Sequence, residues 1–346
     1  MPSQENSRQL VLDTLAGKNT SRAPRQLWWA PYLWPSIHHP SELAQIQADF
    51  PDDIIRLPAP LKTQSPRRKG DSYEIGEYTD DFGATFINIQ RGVFGEVKQP
   101  LVTADDWSDS GKIHIPREWL SFDIAEVNTI IRQQHPGKFI VTEFRPRPFE
   151  QLQFLRGSEN LLADLACIPP RMHEFIERLH AFYCEVAEKW MRTDVDALFF
   201  LDDWGSQNTL LVNPALWREI FKPMYRDFIA IARKHGKKAF MHCDGFILPI
   251  MPDLIEIGLD AINVQILCMG VEQLKPFARH ITFWGEVDRQ FLSNGTPAGI
   301  AAAVTQMHRH LYHNGHAIAQ CEFGAGAKPE NVRQVFQTWN DLTSRA

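Results

Sequence analysis

The stretch Asp196–Gln207, DALFFLDDWGSQ, decides how this chain is read. The apolar run Leu198 to Leu201 passes into Asp202, Asp203, Trp204 and Gly205, the pattern of a short buried strand delivering two carboxylates to a loop. Further along, Lys237–Gly245, KKAFMHCDG, repeats the arrangement with His242 and Asp244 at its end. The strands supply rigidity and their ends supply charge.

Outward from these two stretches, strand and helix signals alternate. Before the first lies Pro170–Met191, where Phe175, Leu179, Phe182, Val186 and Trp190 recur at three and four residues, the stripe of a helix on a core. After it, Asn213-Pro214 opens a helix, asparagine capping the exposed amides and proline occupying the first turn. Pro223 is expected to kink that helix or split it in two. Candidate strands fall near residues 28, 54, 139, 197, 239, 261, 281 and 317, eight in all. The first, Leu27–Leu33 (LWWAPYL), contains Pro31, which argues for an edge or a strand end. Short apolar strands separated by helices imply parallel pairing with both faces covered. Eight of them closed on themselves predict an α/β fold, a (β/α)₈ TIM barrel, as a single domain over 1–346.

Residues 70–100 break the rhythm. Short alternating segments split by Gly83 and Gly92 predict hairpins, read as an insertion packed over one barrel mouth. Within it, Asp80-Asp81-Phe82-Gly83 is a turn whose carboxylates accept backbone hydrogen bonds.

Composition bounds the partners. A formal charge of −6 gives no electrostatic reason to expect nucleic acid or an anionic membrane, so a small-molecule substrate is the simpler expectation. No apolar run is long enough to span a bilayer, and the polar start MPSQENSRQ does not read as a signal peptide. Five cysteines, an odd number, fit reduced thiols in a cytoplasmic protein. The assembly is open between monomer and homodimer.

Active sites of such barrels lie at the C-terminal strand ends. Those ends collect Glu143 and Arg145; Asp202, Asp203 and Gln207; His242, Cys243 and Asp244; Gln265; Glu286 and Asp288; Cys321 and Glu322. His242 and Asp244 share a face by strand periodicity, about 6 to 7 Å apart along the strand, while Cys243 faces away. Of the adjacent carboxylates, Asp203 is expected to face the pocket and Asp202 to pin a loop. Asp203, His242, Asp244 and Glu143 are the expected catalytic groups, and Gln207, Gln265 and Glu286 the expected contacts to a cofactor. Cys321 holds the corresponding place on the last strand. His242, Asp244 and Cys321 with an open fourth position would have the character of catalytic zinc, deprotonating an incoming thiol. The plain alternatives are a buried inert thiol at Cys321 and hydrogen-bonded caps at His242 and Asp244. The glycine-rich EFGAGAKPEN fits either an anion-holding loop or a merely flexible one. No dinucleotide fingerprint, HExxH, GxSxG or CxxC occurs.

The ordered motifs RGSENLLADL, DALFFLDDWGSQ, NPALWREIFKPMY, HCDGFILPIMPDLIEIGLDAIN and WGEVDRQFLSNGTP resemble the uroporphyrinogen decarboxylase superfamily, in the decarboxylase-like branch related to corrinoid-dependent methyltransferases. YTDDFGATF with GEVKQPL resembles its acidic-glycine segment. The resemblance implies a barrel with a deep cleft. It does not extend to the RQAGR segment that binds propionates, for RAPRQLWWAPY offers Arg22 and Arg25 without the motif, which counts against porphyrinogen. Methyltransferases of the superfamily activate a thiol with zinc through His-x-Cys on one strand and a cysteine on the last. His242 matches the first position and Cys321 is taken as the last, but Asp244 replaces the middle cysteine, leaving a harder site.

Two enzyme readings follow. One is methyl transfer or demethylation of a small methylated compound, with zinc and a corrinoid carried by a separate protein. The other is a metal-free decarboxylase or lyase in which Asp203 and His242 handle protons. Non-enzymatic small-molecule binding is third.

Overall fold

The computed structural model describes residues 6–19, 21–28 and 33–344. Its strands are β1 (Arg25–Trp28), β2 (Ile54–Leu57), β3 (Gly76–Thr79), β4 (Thr85–Asn88), β5 (Glu96–Val97), β6 (Phe139–Thr142), β7 (Ala197–Leu201), β8 (Lys238–Cys243), β9 (Ala261–Val264), β10 (Thr282–Trp284) and β11 (Ala317–Glu322). Eight of them form one parallel sheet in the order β1-β11-β10-β9-β8-β7-β6-β2. The ends of that sheet meet through Asp53 N–H to Arg25 O at 2.9 Å, Gln26 Nε2 to Ile54 O at 2.9 Å and Leu27 N–H to Asp52 Oδ1 at 2.7 Å. The result is a nearly closed barrel with helices between its strands, the expected (β/α)₈ architecture. β1 stops at Trp28, and residues 29–32 of the expected first strand lie outside the described residues.

Strand alternation divides the core into two layers. Trp28, Ile54, Phe139, Val141, Ala197, Phe199, Phe240, Ala261, Trp284 and Ile318 fill the lumen, with Val11 of the N-terminal helix packed against them. Their sequence neighbours Leu198, Phe200, Ala239, Met241, Ile262 and Ala319 belong instead to the layer between sheet and helices, as does Cys321. Inside the lumen Trp28 meets Trp284 edge-on at 5.2 Å and Phe240 meets Trp284 at 5.1 Å. Each such pair adds about 0.5–1.5 kcal/mol beyond the area it buries. This aromatic floor lies beneath the polar side chains gathered at the C-terminal end of the barrel.

The helix Pro170–Met191 buries the expected stripe. Asn213 caps Pro214–Lys234 through Ala215 N–H. That helix runs unbroken through Pro223, contrary to the expected split, because its buried face of Trp217, Phe221, Tyr225 and Phe228 continues across the proline. β3, β4 and β5 form a separate antiparallel sheet, and Asp80 Oδ1 accepts the N–H groups of Phe82, Gly83 and Ala84. Tyr73 and Phe94 of this segment reach the cavity at the barrel mouth. Among the described residues no helix is long and apolar enough to cross a membrane.

Candidate active site

Two loops are locked together at the mouth. A Cβ on Gly205 would lie 2.2 Å from Phe246 N, and one on Gly245, whose φ is +81°, would lie 2.1 Å from Gly205 O. The loops after β7 and β8 therefore cross where only glycine fits, joined by Gly205 N–H to Asp244 O at 3.1 Å. This crossing brings the ends of DALFFLDD and FMHCD side by side.

The alternation of β7 and β8 then delivers Asp203, His242 and Asp244 to one place. His242 Nε2 lies 3.5 Å from Asp203 Oδ1 and 3.5 Å from Asp244 Oδ1. Asp203 Oδ1 also accepts Asp244 N–H at 2.9 Å. His242 is oriented from behind. Asn263 on β9 donates through Nδ2 to Trp284 O and to Gln320 Oε1, so its Oδ1 faces His242 Nδ1 at 2.5 Å and receives that proton. The Nε2 lone pair consequently points at two carboxylate oxygens. Asp244 Oδ1 is buried without a hydrogen-bond partner among the described residues. Three electron-rich atoms this close repel unless a proton or a cation lies between them.

Cations and acids surround this core. Arg289 pairs with Asp244 and approaches Glu286 Oε1 at 3.6 Å and Glu322 Oε1 at 3.8 Å. Glu286 is 1 % exposed, and neither carboxyl oxygen has a hydrogen-bond partner among the described residues. Burial, with Asp244 adding repulsion, pushes its carboxyl well above the usual range. Burial and Asp244 likewise raise Asp203. Glu150, the third residue of the helix Pro148–Arg156, lines the same cavity and is pushed well above the usual range by burial and then by Asp203.

Arg56, Arg145 and Arg147 line the same chamber. Arg56 lies over the Trp28 ring at 4.9 Å, and Arg147 over Phe154 at 5.1 Å. Among the described residues Arg147 has no ion-pair partner. Trp28, Phe94, Phe154, Phe199 and Leu201 complete an apolar lining. The chamber thus brings an acid and imidazole centre, guanidinium groups and hydrocarbon side chains together.

Several expected site residues lie elsewhere. Cys321 is fully buried on the outer face of β11, one residue out of phase with the inward-facing Gln320 and Glu322, so it cannot share a ligand with His242. Burial pushes its thiol well above the usual range, as it does for Cys243. The expected His242, Asp244 and Cys321 metal set is corrected on this ground: the third inward group beside His242 and Asp244 is Asp203, and the last strand presents Glu322. Glu143 is absent from the chamber lining and instead holds Arg145 at 2.7 Å and Arg56 at 3.6 Å, so it positions both arginines. Gln207 is exposed in a loop whose carbonyl contacts the Cys268 thiol, and Gln265 Oε1 accepts Gly245 N–H at 3.2 Å. Neither lines the chamber; Gln265 supports the crossing of the loops. Asp202 pins a loop as expected, accepting Phe149 N–H, Glu150 N–H and Tyr225 Oη–H at 3.0, 2.8 and 2.5 Å.

Asp203, His242 and Asp244 each offer one ligand atom, all within 4.8 Å of one another. With the orphaned Asp244 oxygen, this set fits a divalent cation bound through one nitrogen and two oxygens. It does not reproduce a thiolate site.

The sequence model for uroporphyrinogen decarboxylase matches residues 80–342. Among solved structures, a methyltransferase from Methanosarcina mazei superposes with a TM-score of 0.68 at 15% identity, covering 97% of this chain and 98% of that one. An endo-beta-1,4-xylanase from Gloeophyllum trabeum aligns with a TM-score of 0.44 at 9% identity over 94% of this chain and 98% of that one. No curated protein sequence matches.

Proposed function

The chain belongs to the uroporphyrinogen decarboxylase family, and from that premise we propose that it is a lyase removing carbon dioxide from a small substrate that carries a second anionic group. The observation supporting this is that one chamber is lined both by Arg56, Arg145 and Arg147 and by the Asp203, His242 and Asp244 centre. Arg145 and Arg147 hold the group that stays, presenting planar donor forks to a carboxylate. The departing carboxylate lies against Phe199, Leu201 and Phe154, where loss of hydration opposes its charge and favours neutral carbon dioxide. As that carbon–carbon bond breaks, its electron pair stays on the substrate carbon, which takes a proton from the Asp203 and His242 pair. Burial keeps Asp203 protonated to higher pH than an exposed carboxyl, suiting it to donate. Asn263 fixes the imidazole, and Glu150 supplies a second protonated carboxyl near the arginines.

A cation held by Asp203, His242 and Asp244 would supply Lewis-acid polarisation of a substrate oxygen or thiol. The buried, unpartnered Asp244 Oδ1 favours this as a second reading, under which the enzyme transfers or removes a methyl group with a corrinoid on a separate protein. Incubating the purified protein with a panel of small dicarboxylates and methylated acids, while measuring carbon dioxide and methyl loss in parallel, separates the two. Stoichiometric carbon dioxide supports the lyase; methyl loss without it supports the transferase.

A further inference from the structure

The chamber holding Asp203 and His242 has a volume of about 180 Å³, below the roughly 300–1,000 Å³ of clefts that enclose a whole small molecule. It has room for a small acid or for the reacting end of a larger one. A second cavity of about 360 Å³ adjoins it, and Arg145 and Arg147 line both. The walls of that second cavity are of a different kind: Leu61 and Trp119, half-buried, form its apolar surface with Phe144, backed by the fully buried Val186 and Trp190. Trp119 and Phe144 meet edge-on with centroids 5.7 Å apart. Its polar members are already partnered, since Asp81 takes Trp119 Nε1–H at 2.7 Å and Arg68 at 2.8 Å. What remains is an apolar groove bounded on one side by Arg147 and by the Arg145–Glu143 pair, which closes at 2.7 Å.

We infer that this second cavity takes the body of the substrate, an aryl-substituted carboxylate whose ring lies in the groove, whose anionic group lies on Arg145 and Arg147, and whose reacting end enters the chamber beside His242. The inference rests on the reading of the chamber as a carboxylate site and adds the chemical class of the remainder. Size, hydrophobicity and charge agree on it. A flat ring matches the Trp119 and Phe144 walls, and the guanidinium of Arg147 stands at the boundary without an ion-pair partner among the described residues.

The test compares binding of phenylsuccinate and succinate to the wild-type protein and to Ala59→Trp, since Ala59 lines the groove and an indole there would fill it. Calorimetry and saturation-transfer NMR are the readouts, with circular dichroism to confirm folding. The expected result is phenylsuccinate binding roughly tenfold tighter or more, from burial of the ring, with saturation transferred to its phenyl protons. Ala59→Trp is expected to abolish that advantage while succinate still binds. Equal affinities in the wild type, with no transfer to the phenyl protons, overturn the aromatic groove and leave the carboxylate chamber standing. If neither acid binds, the carboxylate reading itself fails. The phenyl-proton signal in the wild type decides the matter even should the variant misfold.

Discussion

His242 gives its Nδ1 proton to Asn263 Oδ1 across 2.5 Å, and Asn263 is held in turn by Trp284 O and Gln320 Oε1. A chain of amides inside the barrel therefore decides which imidazole nitrogen faces the chamber. Removing it should cost activity without touching a chamber-lining residue. For Asn263→Leu the expected loss in kcat is roughly 10- to 100-fold, the usual effect of an outer partner of a reactive histidine. Asn263→Asp keeps an acceptor for the Nδ1 proton and should recover part of it. Comparable losses in both variants would mean that the contact serves packing alone.

Arg147→Ala removes a cation that has no other ion pair among the described residues. A charge-assisted hydrogen bond contributes about 1.5–3 kcal/mol, so KM is expected to rise by roughly 10- to 100-fold with a smaller change in kcat. Arg147→Lys should not restore it, since a point charge lacks the planar fork. Steady-state kinetics on the first identified substrate provides the check.

The raised pKa of Asp203 sets the direction of the pH profile. Its carboxyl is protonated below its raised pKa and ionises as pH climbs through that value, so a step needing the proton is present on the acid side and lost on the alkaline side. kcat should fall with rising pH above the ordinary carboxylate range. Asp203→Asn should abolish that limb and lower kcat by roughly 10²- to 10⁴-fold. A wild-type profile flat across that region would contradict the assignment.

Asp202 is a structural acid. Asp202→Ala leaves Phe149 N–H, Glu150 N–H and Tyr225 Oη–H unpaired, each costing about 1–3 kcal/mol when buried, so urea unfolding should show a loss of several kcal/mol. Burial raises this carboxyl from 3.8 to about 7. Its folded form holds the proton more tightly than its unfolded form, so the associated stability is complete below pH 3.8 and is lost as pH rises through about 7. The Asp202→Asn protein should lack that component of the pH dependence.

Cys321→Ala should leave both activity and any bound metal unchanged, because the thiol lies among the hydrophobic residues outside the sheet. Metal analysis of chelator-free protein is the measurement. Metal present in the wild type and lost in Asp244→Ala but kept in Cys321→Ala matches the geometry; loss in Cys321→Ala opposes it.

The barrel was legible because its strands are apolar runs bounded by charge, as in ALFFLDD and AFMHCD, and because Gly, Asn and Pro mark the joints. The face of each residue was harder to read on β11. Ala317–Glu322 is buried on both sides, so hydrophobicity gives no period there; only the alternate polar residues Gln320 and Glu322 mark the inner face, and Cys321 falls between them. His242 and Asp244 were legible by the same alternation on β8. Asn263 carried a weak signal, a lone amide in the apolar AINV. Arg147 and Glu150 lie in the loop and helix after β6, where strand periodicity no longer applies.

The central claim is that the Asp203 and His242 centre protonates the carbon from which carbon dioxide departs. Turnover of a substrate in deuterium oxide tests it most directly. One carbon dioxide released and one deuterium gained at the vacated carbon per turnover, both lost in Asp203→Asn and in His242→Ala, is the expected result. Product that carries no deuterium at that carbon, or that has lost a methyl group with no carbon dioxide released, would contradict it.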